Sequence, residues 1–463
     1  MLFSKLFKKR QYSFQSVVHG LLVTIGTLIG VAGIRRGWVY DEMECLRSGW
    51  FIAQSMIPYV DFFQHHHPLF YYILSPFAFL LSPTGYLFTG RLLSLVFCFL
   101  MLLYTYRLAA LFCTRFGAKI SVLIVCAWNM FADSAFEVRP DIPQVAIATL
   151  GTYYFFCFLE NKKYKYGIMS ACAYSCSFLF LQKSFIFLVF AILVLFYEWW
   201  KSNISLFKCV LWILVCGLPI LFYWVLLYIQ GHFYDYWVCN YLFNAVISQK
   251  FTFLNLLKTM VNKVFLPNVV LWFFVFIGFF YHKKSYLILL VYIIVISLIG
   301  MRIDGMHYWI ILLPYISIFA SLGLKQIFKQ QERLLLFFIF FLLCPSIKIW
   351  SGNIAFGNHD QIKLLAYFRS LSNDQDTCFG DGLTCNFRKS PDFFWHGDFW
   401  GNKNIYNMFL PYHSLDSKEI LLRFPAVVQK TKLCGSDDID IVLNNYYKII
   451  DKKNKLFILK KER

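Results

Sequence analysis

A series of long apolar segments is the feature that most constrains how this chain can fold. A helix needs about 20 mostly apolar residues to cross the hydrocarbon core of a bilayer. By that criterion the sequence contains eleven candidate spans, at approximately residues 15–34, 86–112, 120–135, 142–160, 166–182, 184–200, 209–229, 267–281, 285–301, 307–324 and 334–350. The chain is therefore predicted to be a polytopic α-helical membrane protein with about 11 transmembrane helices.

The composition agrees with this fold class and argues against a nucleic-acid-binding protein. Of the 463 residues, only 15% are charged, whereas about a quarter are charged in a soluble domain. The formal net charge is +19, but the Lys and Arg residues occur in short clusters between the apolar segments. That pattern is typical of topology signals and of contacts with anionic headgroups. We expect membrane lipids, and no nucleic acid, among the partners.

The same basic clusters predict the orientation of the chain. They occupy every second connection between the spans, at residues 5–10, 115–119, 162–165, 201–208, 283–284 and 325–333. Cytoplasmic loops are enriched in Lys and Arg, so the N-terminus is predicted to be cytoplasmic and the C-terminal tail external. Arg35 and Arg36 are the exception to this pattern. The first external loop then comprises residues 35–85. The short cytoplasmic connections carry no GxxxxGK[ST] motif, so any chemistry is expected outside and without direct use of ATP.

The tail differs from the rest of the chain in composition. Residues 351–463 contain many charged residues and few long apolar runs, which predicts a small extracytoplasmic α/β domain after a transmembrane domain of residues 1–350. In the tail, "DQIKLLAYFRSL" has helical spacing, and "IDIVLNNYYKIIDKKNKLFILKK" alternates as expected for a β-hairpin. Cys378 and Cys385 could form a disulfide in an external domain, and the sequence leaves this pairing open.

Ionisable residues collect at the predicted external ends of the spans. In the first loop, "DEMECLRSGWFIAQSM" has helical spacing, with Asp41 near the positive end of the helix dipole. The other candidates are Glu42, Asp61, His65, His66, His67, Glu137, Arg139, Asp141, Lys183, Arg302, Asp304, His307 and Tyr308. Each alone admits an ordinary role, such as a helix cap for Asp41 or an interfacial anchor for a basic residue. Their placement on one side favours a functional site.

Together these motifs resemble the GT-C glycosyltransferases. The stretch "YDEMECLRSGWFIAQSMIPYVDFFQHHHPLFYYILSP" is similar to their first extracytoplasmic loop. The closest groups are the bacterial relatives of protein O-mannosyltransferases and of the aminoarabinose transferase that acts on lipid A. The motifs "GRLLSLVF", "VRPDIP", "LQKSF" and "HYWIILLPYISIFASLGL" follow in the expected order. The resemblance covers about residues 20–325.

The resemblance implies an inverting transferase that moves a sugar from a polyprenyl-phosphate donor to a hydroxyl of a glycan, lipid or protein. It places the active site and the C-terminus outside the plasma membrane, in bacteria on the periplasmic side of the inner membrane. Asp41 would be the catalytic carboxylate, and Asp141 a second catalytic acid. The residues expected to bind the donor phosphate or the substrate are Glu42, His66, His67, Arg139, Lys183, Arg302, His307 and Tyr308. The family usually has a basic residue and two prolines where this chain has His66, His67, Pro68 and Leu69, so the phosphate ligand stays open.

Four further questions stay open at this point. Asp61 and His65 could hold a divalent metal, because carboxylate and imidazole suit Mg²⁺, Mn²⁺ or Zn²⁺. A transporter or flippase for a lipid-linked sugar would also explain the spans, but it predicts charges near the membrane midplane. A non-catalytic envelope-assembly subunit, whose tail binds a partner, is the third reading. The aromatic segment "GHFYDYWVCNYLFNAVISQKF" suits either an interfacial belt or a surface that stacks on a sugar.

Overall fold

The computed structural model is mostly helical. It describes residues 2–248, 258, 260–280, 306–329, 331–371, 376–380, 387, 427–429, 447–451 and 456–459. The α-helices of these residues are α1 Leu2–Arg35, α2 Tyr40–Ala53, α3 Leu69–Leu80, α4 Pro83–Phe112, α5 Arg115–Ala127, α6 Asn129–Ser134, α7 Asp141–Asn161, α8 Tyr164–Phe180, α9 Phe185–Trp200, α10 Leu206–Ile229, α11 Phe233–Trp237, α12 Phe243–Ser248, α13 Val269–Phe280, α14 Leu313–Ile327, α15 Glu332–Phe356 and α16 His359–Leu371. Short 3-10 helices cover Gln182–Ser184, Leu266–Asn268 and Met306–Leu312, and π-helical turns cover Val238–Leu242 and Met260–Phe265.

Seven segments of the described chain are long and apolar enough to cross a membrane. They are Phe14–Arg35, Pro83–Phe112, Asp141–Asn161, Gln182–Trp200, Leu206–Ile229, Trp309–Ile327 and Glu332–Tyr367. Each coincides with one of the eleven expected spans, which confirms a multi-pass helical membrane protein. The exact number of eleven stays a prediction.

The other four expected spans have different outcomes. The one at 120–135 is divided into α5 and α6, because Trp128 has an extended backbone (φ −73°, ψ 128°). The one at 166–182 is the 17-residue helix α8. The one at 267–281 is a shorter apolar helix, Leu266–Phe280. The one at 285–301 lies outside the described residues.

The chain forms two compact units that both draw on distant parts of the sequence. The first unit comprises Met1–Arg36, Leu92–Leu221 and Phe251–Phe356. The second comprises Gly37–Arg91, Phe222–Lys250 and Gly357–Arg463. The first external loop therefore groups with the tail, whereas the sequence suggested a division into residues 1–350 and 351–463. A separate domain of residues 351–463 stays a prediction.

Two glycines allow very close helix packing in the first unit. A Cβ atom added to Gly278 of α13 would overlap the carbonyl oxygen of Phe319 on α14. A Cβ atom added to Gly323 of α14 would overlap the carbonyl oxygen of Phe274 on α13. Small residues of this kind let the backbones of membrane helices approach each other. The contact between α13 and α14 thus depends on the absence of side chains at both positions.

The second unit contains the first loop and the described strands of the tail. The helices α2 and α3 pack tightly at Gly49, where an added Cβ atom would lie 2.9 Å from Cβ of Leu74. The strands are β1 Cys378–Gly380, β2 Val427–Gln429, β3 Tyr447–Asp451 and β4 Leu456–Leu459, and they form one sheet in the order β1-β2-β4-β3. The strands β3 and β4 pair antiparallel, which confirms the predicted hairpin, and α16 confirms the predicted helix in "DQIKLLAYFRSL".

We predict that Gly323→Ala destabilises the folded protein, because its Cβ atom collides with backbone that cannot move aside alone. Overpacking of this kind costs about 1–3 kcal/mol or more. The measurement is thermal unfolding of the purified protein in detergent. The matched control is Gly217→Ala, since a Cβ atom there meets nothing within 4 Å. Equal unfolding temperatures for the two variants would contradict the close contact.

Candidate active site

The N-terminus of α2 holds the first of the expected catalytic residues. Val39 is the N-cap residue, with extended backbone (φ −101°, ψ 165°), and its N–H donates to Oε2 of Glu42 at 3.0 Å. This is the carboxylate half of a capping box. The capping role that the sequence suggested for Asp41 is therefore performed by Glu42. Asp41 lies in the first helical turn and is partly exposed.

Glu42 also forms a buried ion pair with Arg91. Both side chains have no exposed surface, and Nη2 of Arg91 lies 2.5 Å from Oε2 of Glu42. Nε of Arg91 contacts the other carboxylate oxygen, so the pair is bidentate. Nη2 of Arg91 further donates to the carbonyl oxygen of Gly37 at 3.0 Å. These contacts favour a structural role for Glu42, rather than the substrate contact that the sequence suggested.

The histidine run is organised by Gln64, a residue that the sequence analysis did not select. The fully buried Gln64 side chain accepts from the N–H groups of His65 at 2.7 Å and His66 at 3.1 Å. Its amide nitrogen donates to Oγ of Ser48 at 2.8 Å. The Tyr59 hydroxyl donates to the carbonyl oxygen of His66 at 2.8 Å. The Gln64 side chain thus links the loop to α2. No local sequence motif indicates this role.

The three histidines have different surroundings. Nδ1 of His65 lies 3.4 Å from Oε1 of Glu44. His66 is partly exposed, and its ring lies 3.9 Å from the ring of His65. His67 is fully buried, and its Nε2 lies 3.1 Å from the hydroxyl of Tyr236. His66 is therefore more accessible to a substrate than His67.

The aromatic segment after the seventh expected span packs around His67. Nε1 of Trp224 donates to the hydroxyl of Tyr236 at 3.1 Å. The hydroxyl of Tyr241 lies 3.4 Å from Nε2 of His67, and its ring stacks on Trp237 at 4.6 Å. Burial raises the pKa of Tyr236 and of Tyr241. Both phenols therefore stay protonated at neutral pH and keep their hydrogen bonds in this cluster.

The first unit contains a chain of ion pairs in which the sign of the charge alternates. Its members, in order of contact, are Asp133, Arg36, Glu137, Arg139, Asp141 and Lys183. We call this set the ion-pair chain. Its three carboxylates and three cations leave no net formal charge, which lowers the cost of holding them with little water.

Arg36 occupies one end of the ion-pair chain. Its Nη2 lies 2.9 Å from Oε1 of Glu137 and 3.6 Å from Oδ1 of Asp133, and its side chain is 12% exposed. Arg36 departs from the distribution of basic residues that predicts orientation, and the structure pairs it with acids of its own unit.

Asp141 and Lys183 occupy the other end of the ion-pair chain. Oδ1 of Asp141 accepts from Nζ of Lys183 at 3.0 Å, and its Oδ2 accepts from Nε of Arg139 at 3.2 Å. Lys183 lies in the 3-10 turn Gln182–Ser184, and its side chain is 22% exposed. Asp141 thus holds two cations at once, and Lys183 is the more exposed of these two cations.

The remaining expected residues are placed as follows. Arg302 lies outside the described residues, and so does Asp304. His307 and Tyr308 lie in the 3-10 helix Met306–Leu312, and their side chains lie outside the description.

The metal site suggested by the sequence at Asp61 and His65 stays a prediction. The Asp61 carboxylate accepts from the N–H of Ile57 at 2.6 Å and so caps its own turn, while His65 is paired with Glu44. Within the part of the chain that the structure describes, no three His, Cys, Asp or Glu side chains are grouped so that they could hold a metal ion.

We predict that Arg91→Ala strongly lowers the stability of the protein, because it leaves the Glu42 carboxylate buried without its cation. Removing one partner of a buried pair costs about 3–5 kcal/mol. The measurement is again thermal unfolding in detergent, with Arg107→Ala as the control. Arg107 lies on the same helix, α4, and is exposed. If both variants unfold at the same temperature, the buried pair does not stabilise α2.

Comparisons with known proteins were made for the sequence and for the fold. Residues 65–224 match the family model described as dolichyl-phosphate-mannose-protein mannosyltransferase. No curated protein matches the chain in sequence. The fold matches the crystal structure of ArnT from Cupriavidus metallidurans in the apo state, with TM-score 0.67 and 11% identity over 97% of this chain and 98% of that chain.

A second crystal structure of the same protein, bound to undecaprenyl phosphate, matches with TM-score 0.64 and 10% identity over 95% of this chain and 97% of that chain. ArnT is the lipid A aminoarabinose transferase. The fold matches confirm the fold class that the sequence indicated. The chain has the GT-C fold of ArnT. Over residues 65–224 it is similar to the dolichyl-phosphate-mannose-protein mannosyltransferase family.

Proposed function

We propose that the protein is an inverting glycosyltransferase that moves a sugar from a polyprenyl-phosphate donor to a hydroxyl group outside the plasma membrane. The observation that carries this proposal is the difference in burial between two adjacent acids at the start of α2. Glu42 is buried against Arg91, while Asp41 is partly exposed beside it. The similarity to GT-C glycosyltransferases supports the reaction class, and the undecaprenyl phosphate bound to ArnT supports the class of donor.

Asp41 is proposed to act as the general base. The acceptor oxygen attacks the anomeric carbon of the sugar as its proton passes to the Asp41 carboxylate. The bond between that carbon and the phosphate oxygen breaks, and polyprenyl phosphate leaves with the bonding electrons. Attack opposite the leaving group inverts the anomeric configuration. General-base catalysis of this kind contributes about 10²–10⁴-fold to the rate.

The leaving phosphate is proposed to be stabilised by cations. A phosphate monoester anion is already a stable leaving group, so it needs positive charge rather than a strong acid. Lys183 is proposed for this role because its side chain is the most exposed of the three cations in the ion-pair chain. Asp141 then serves to hold Lys183 and Arg139 in place through its two carboxylate oxygens. His66 and Arg302 remain further candidates for phosphate contact.

The membrane location follows from the chemistry of such a donor. A polyprenyl chain stays in the bilayer, so the reactive phosphate and sugar are presented at the membrane surface. We place this surface on the external side, in bacteria the periplasmic side of the inner membrane. Cys378 is disulfide-bonded, and disulfides persist in oxidising compartments. Its partner lies outside the described residues, as does Cys385, the partner suggested by the sequence.

Asp41→Asn is predicted to abolish sugar transfer while the protein is still made and inserted. The amide keeps the shape of the side chain but cannot accept the proton. The experiment compares surface glycans and glycolipids by mass spectrometry in a deletion strain complemented with each variant. The unit that is missing from the deletion strain identifies the sugar and its acceptor.

Asp61→Asn is the matched control, because Asp61 is exposed and caps its own turn. It should restore the missing unit to the wild-type amount. A strain with Asp41→Asn that also restores the unit fully would remove Asp41 from the mechanism. Surface glycans that are unchanged in the deletion strain would contradict the transferase itself.

Lys183→Gln is predicted to slow sugar transfer by about 10²–10³-fold, the usual cost of removing one preorganised charge from a transition state. Initial rates with purified protein and a polyprenyl-phosphate sugar in detergent measure this effect. The control is Lys162→Gln, since Lys162 is one-third exposed and pairs with Glu198 at 3.8 Å, away from the ion-pair chain. Equal rates for the two variants would exclude Lys183 as a phosphate ligand.

A further inference from the structure

Side chains hold four backbone polar groups of the three residues that lead into α2. The carbonyl oxygen of Gly37 accepts from Arg91 at 3.0 Å. The N–H of Val39 donates to Glu42 at 3.0 Å. Between them, both polar groups of Trp38 bond to one side chain, that of Gln361. These contacts fix the direction in which the chain enters the helix that carries Asp41.

Gln361 belongs to the tail, 323 positions after Trp38. Its Oε1 accepts from the N–H of Trp38 at 2.7 Å, and its Nε2 donates to the carbonyl oxygen of Trp38 at 2.8 Å. A Cβ atom on Gly37 would lie 3.1 Å from the same Oε1, so a glycine precedes Trp38 where the amide comes closest. One residue of α16 therefore pairs with Trp38 much as a neighbouring strand would.

A second contact joins α2 to the tail at a later turn of the helix. The guanidinium of Arg47, which is fully buried, donates to the carbonyl oxygen of Cys378 at 3.0 Å. The same guanidinium lies 5.1 Å from the ring of Phe51. Cys378 is disulfide-bonded, so the backbone that receives this hydrogen bond is itself restrained. The tail thus contacts the chain on both sides of Asp41, at Trp38 before α2 and at Arg47 within α2.

We propose that Gln361 is a positioning residue for catalysis, through which the C-terminal tail sets the place of the Asp41 carboxylate. The inference rests on the proposed role of Asp41 as general base. A misplacement of about 1 Å at a reacting group can cost 10²-fold in rate. Without the Gln361 amide, both polar groups of Trp38 need new partners, and the entry to α2 shifts.

Other contacts keep the helix folded when the Gln361 amide is removed. The Trp38 ring is packed 5.5 Å from Phe88 and 5.7 Å from the Arg91 guanidinium. The Glu42–Arg91 pair and the Arg47 contact do not involve Gln361. Loss of the amide therefore changes the position and mobility of the first turn more than the stability of the whole protein.

The experiment compares Gln361→Met with Lys363→Met, an exposed position on the same helix. Gln361→Met should lower kcat about tenfold to a hundredfold, with little change in KM for the polyprenyl-phosphate sugar, and should unfold near the wild-type temperature. Lys363→Met should match the wild type in kcat. A kcat for Gln361→Met equal to that of the control would overturn the proposal.

A third variant tests positioning by its pH profile. In Gln361→Glu, the carboxylate can accept from the N–H of Trp38 but repels the Trp38 carbonyl oxygen, whereas the protonated acid can donate to it. The activity of Gln361→Glu relative to the wild type should therefore rise as the pH falls toward the range where a glutamate binds its proton, around pH 4–5. A ratio that stays flat with pH would contradict the paired hydrogen bonds.

Hydrogen exchange of the peptide that covers residues 37–46 separates this inference from the proposed function. Gln361→Met should speed exchange of these amides, and Lys363→Met should not. Unchanged exchange, or faster exchange with wild-type kcat, overturns the positioning role. Wild-type transfer by Asp41→Asn contradicts the proposed function instead, because the exchange measurement does not depend on which residue is the base.

Discussion

The buried ion pair between Glu42 and Arg91 is the interaction on which the rest of the site depends. It neutralises an arginine and a glutamate that have no contact with water, and it joins α2 to α4. The same glutamate caps α2, and the same arginine holds the carbonyl oxygen of Gly37. Two adjacent carboxylates therefore have different surroundings. Glu42 caps the helix and is buried, whereas Asp41 is partly exposed.

The two clusters of ionisable groups follow one physical rule, each within its own unit. Charged groups with little exposure are matched with opposite charges, because an unmatched buried charge is far more costly than a matched pair. In the second unit the pair is Glu42–Arg91, and in the first it is the ion-pair chain that ends at Lys183. Most of these charges are therefore paired with an opposite charge inside their own unit. The proposed catalytic groups, Asp41 and Lys183, are partly exposed.

The sequence predicted those features that are encoded locally. Span positions follow from length and hydropathy, and the β3–β4 hairpin from alternation around a turn. What it missed depends on contacts between distant residues. The pairing of Glu42 with a residue 49 positions away, and of Trp38 with Gln361, cannot be read from spacing. The break at Trp128 is another such case, since the buried indole donates to Ser317 on α14 at 3.2 Å.

The most direct measurement is an experimental structure of the protein in lipid with a non-reactive polyprenyl-phosphate sugar and its acceptor. The account predicts that a carboxylate oxygen of Asp41 lies about 2.6–3.2 Å from the acceptor hydroxyl, with Glu42 still paired with Arg91. A structure in which the hydroxyl instead meets another carboxylate, with Asp41 turned away from the anomeric carbon, would contradict it.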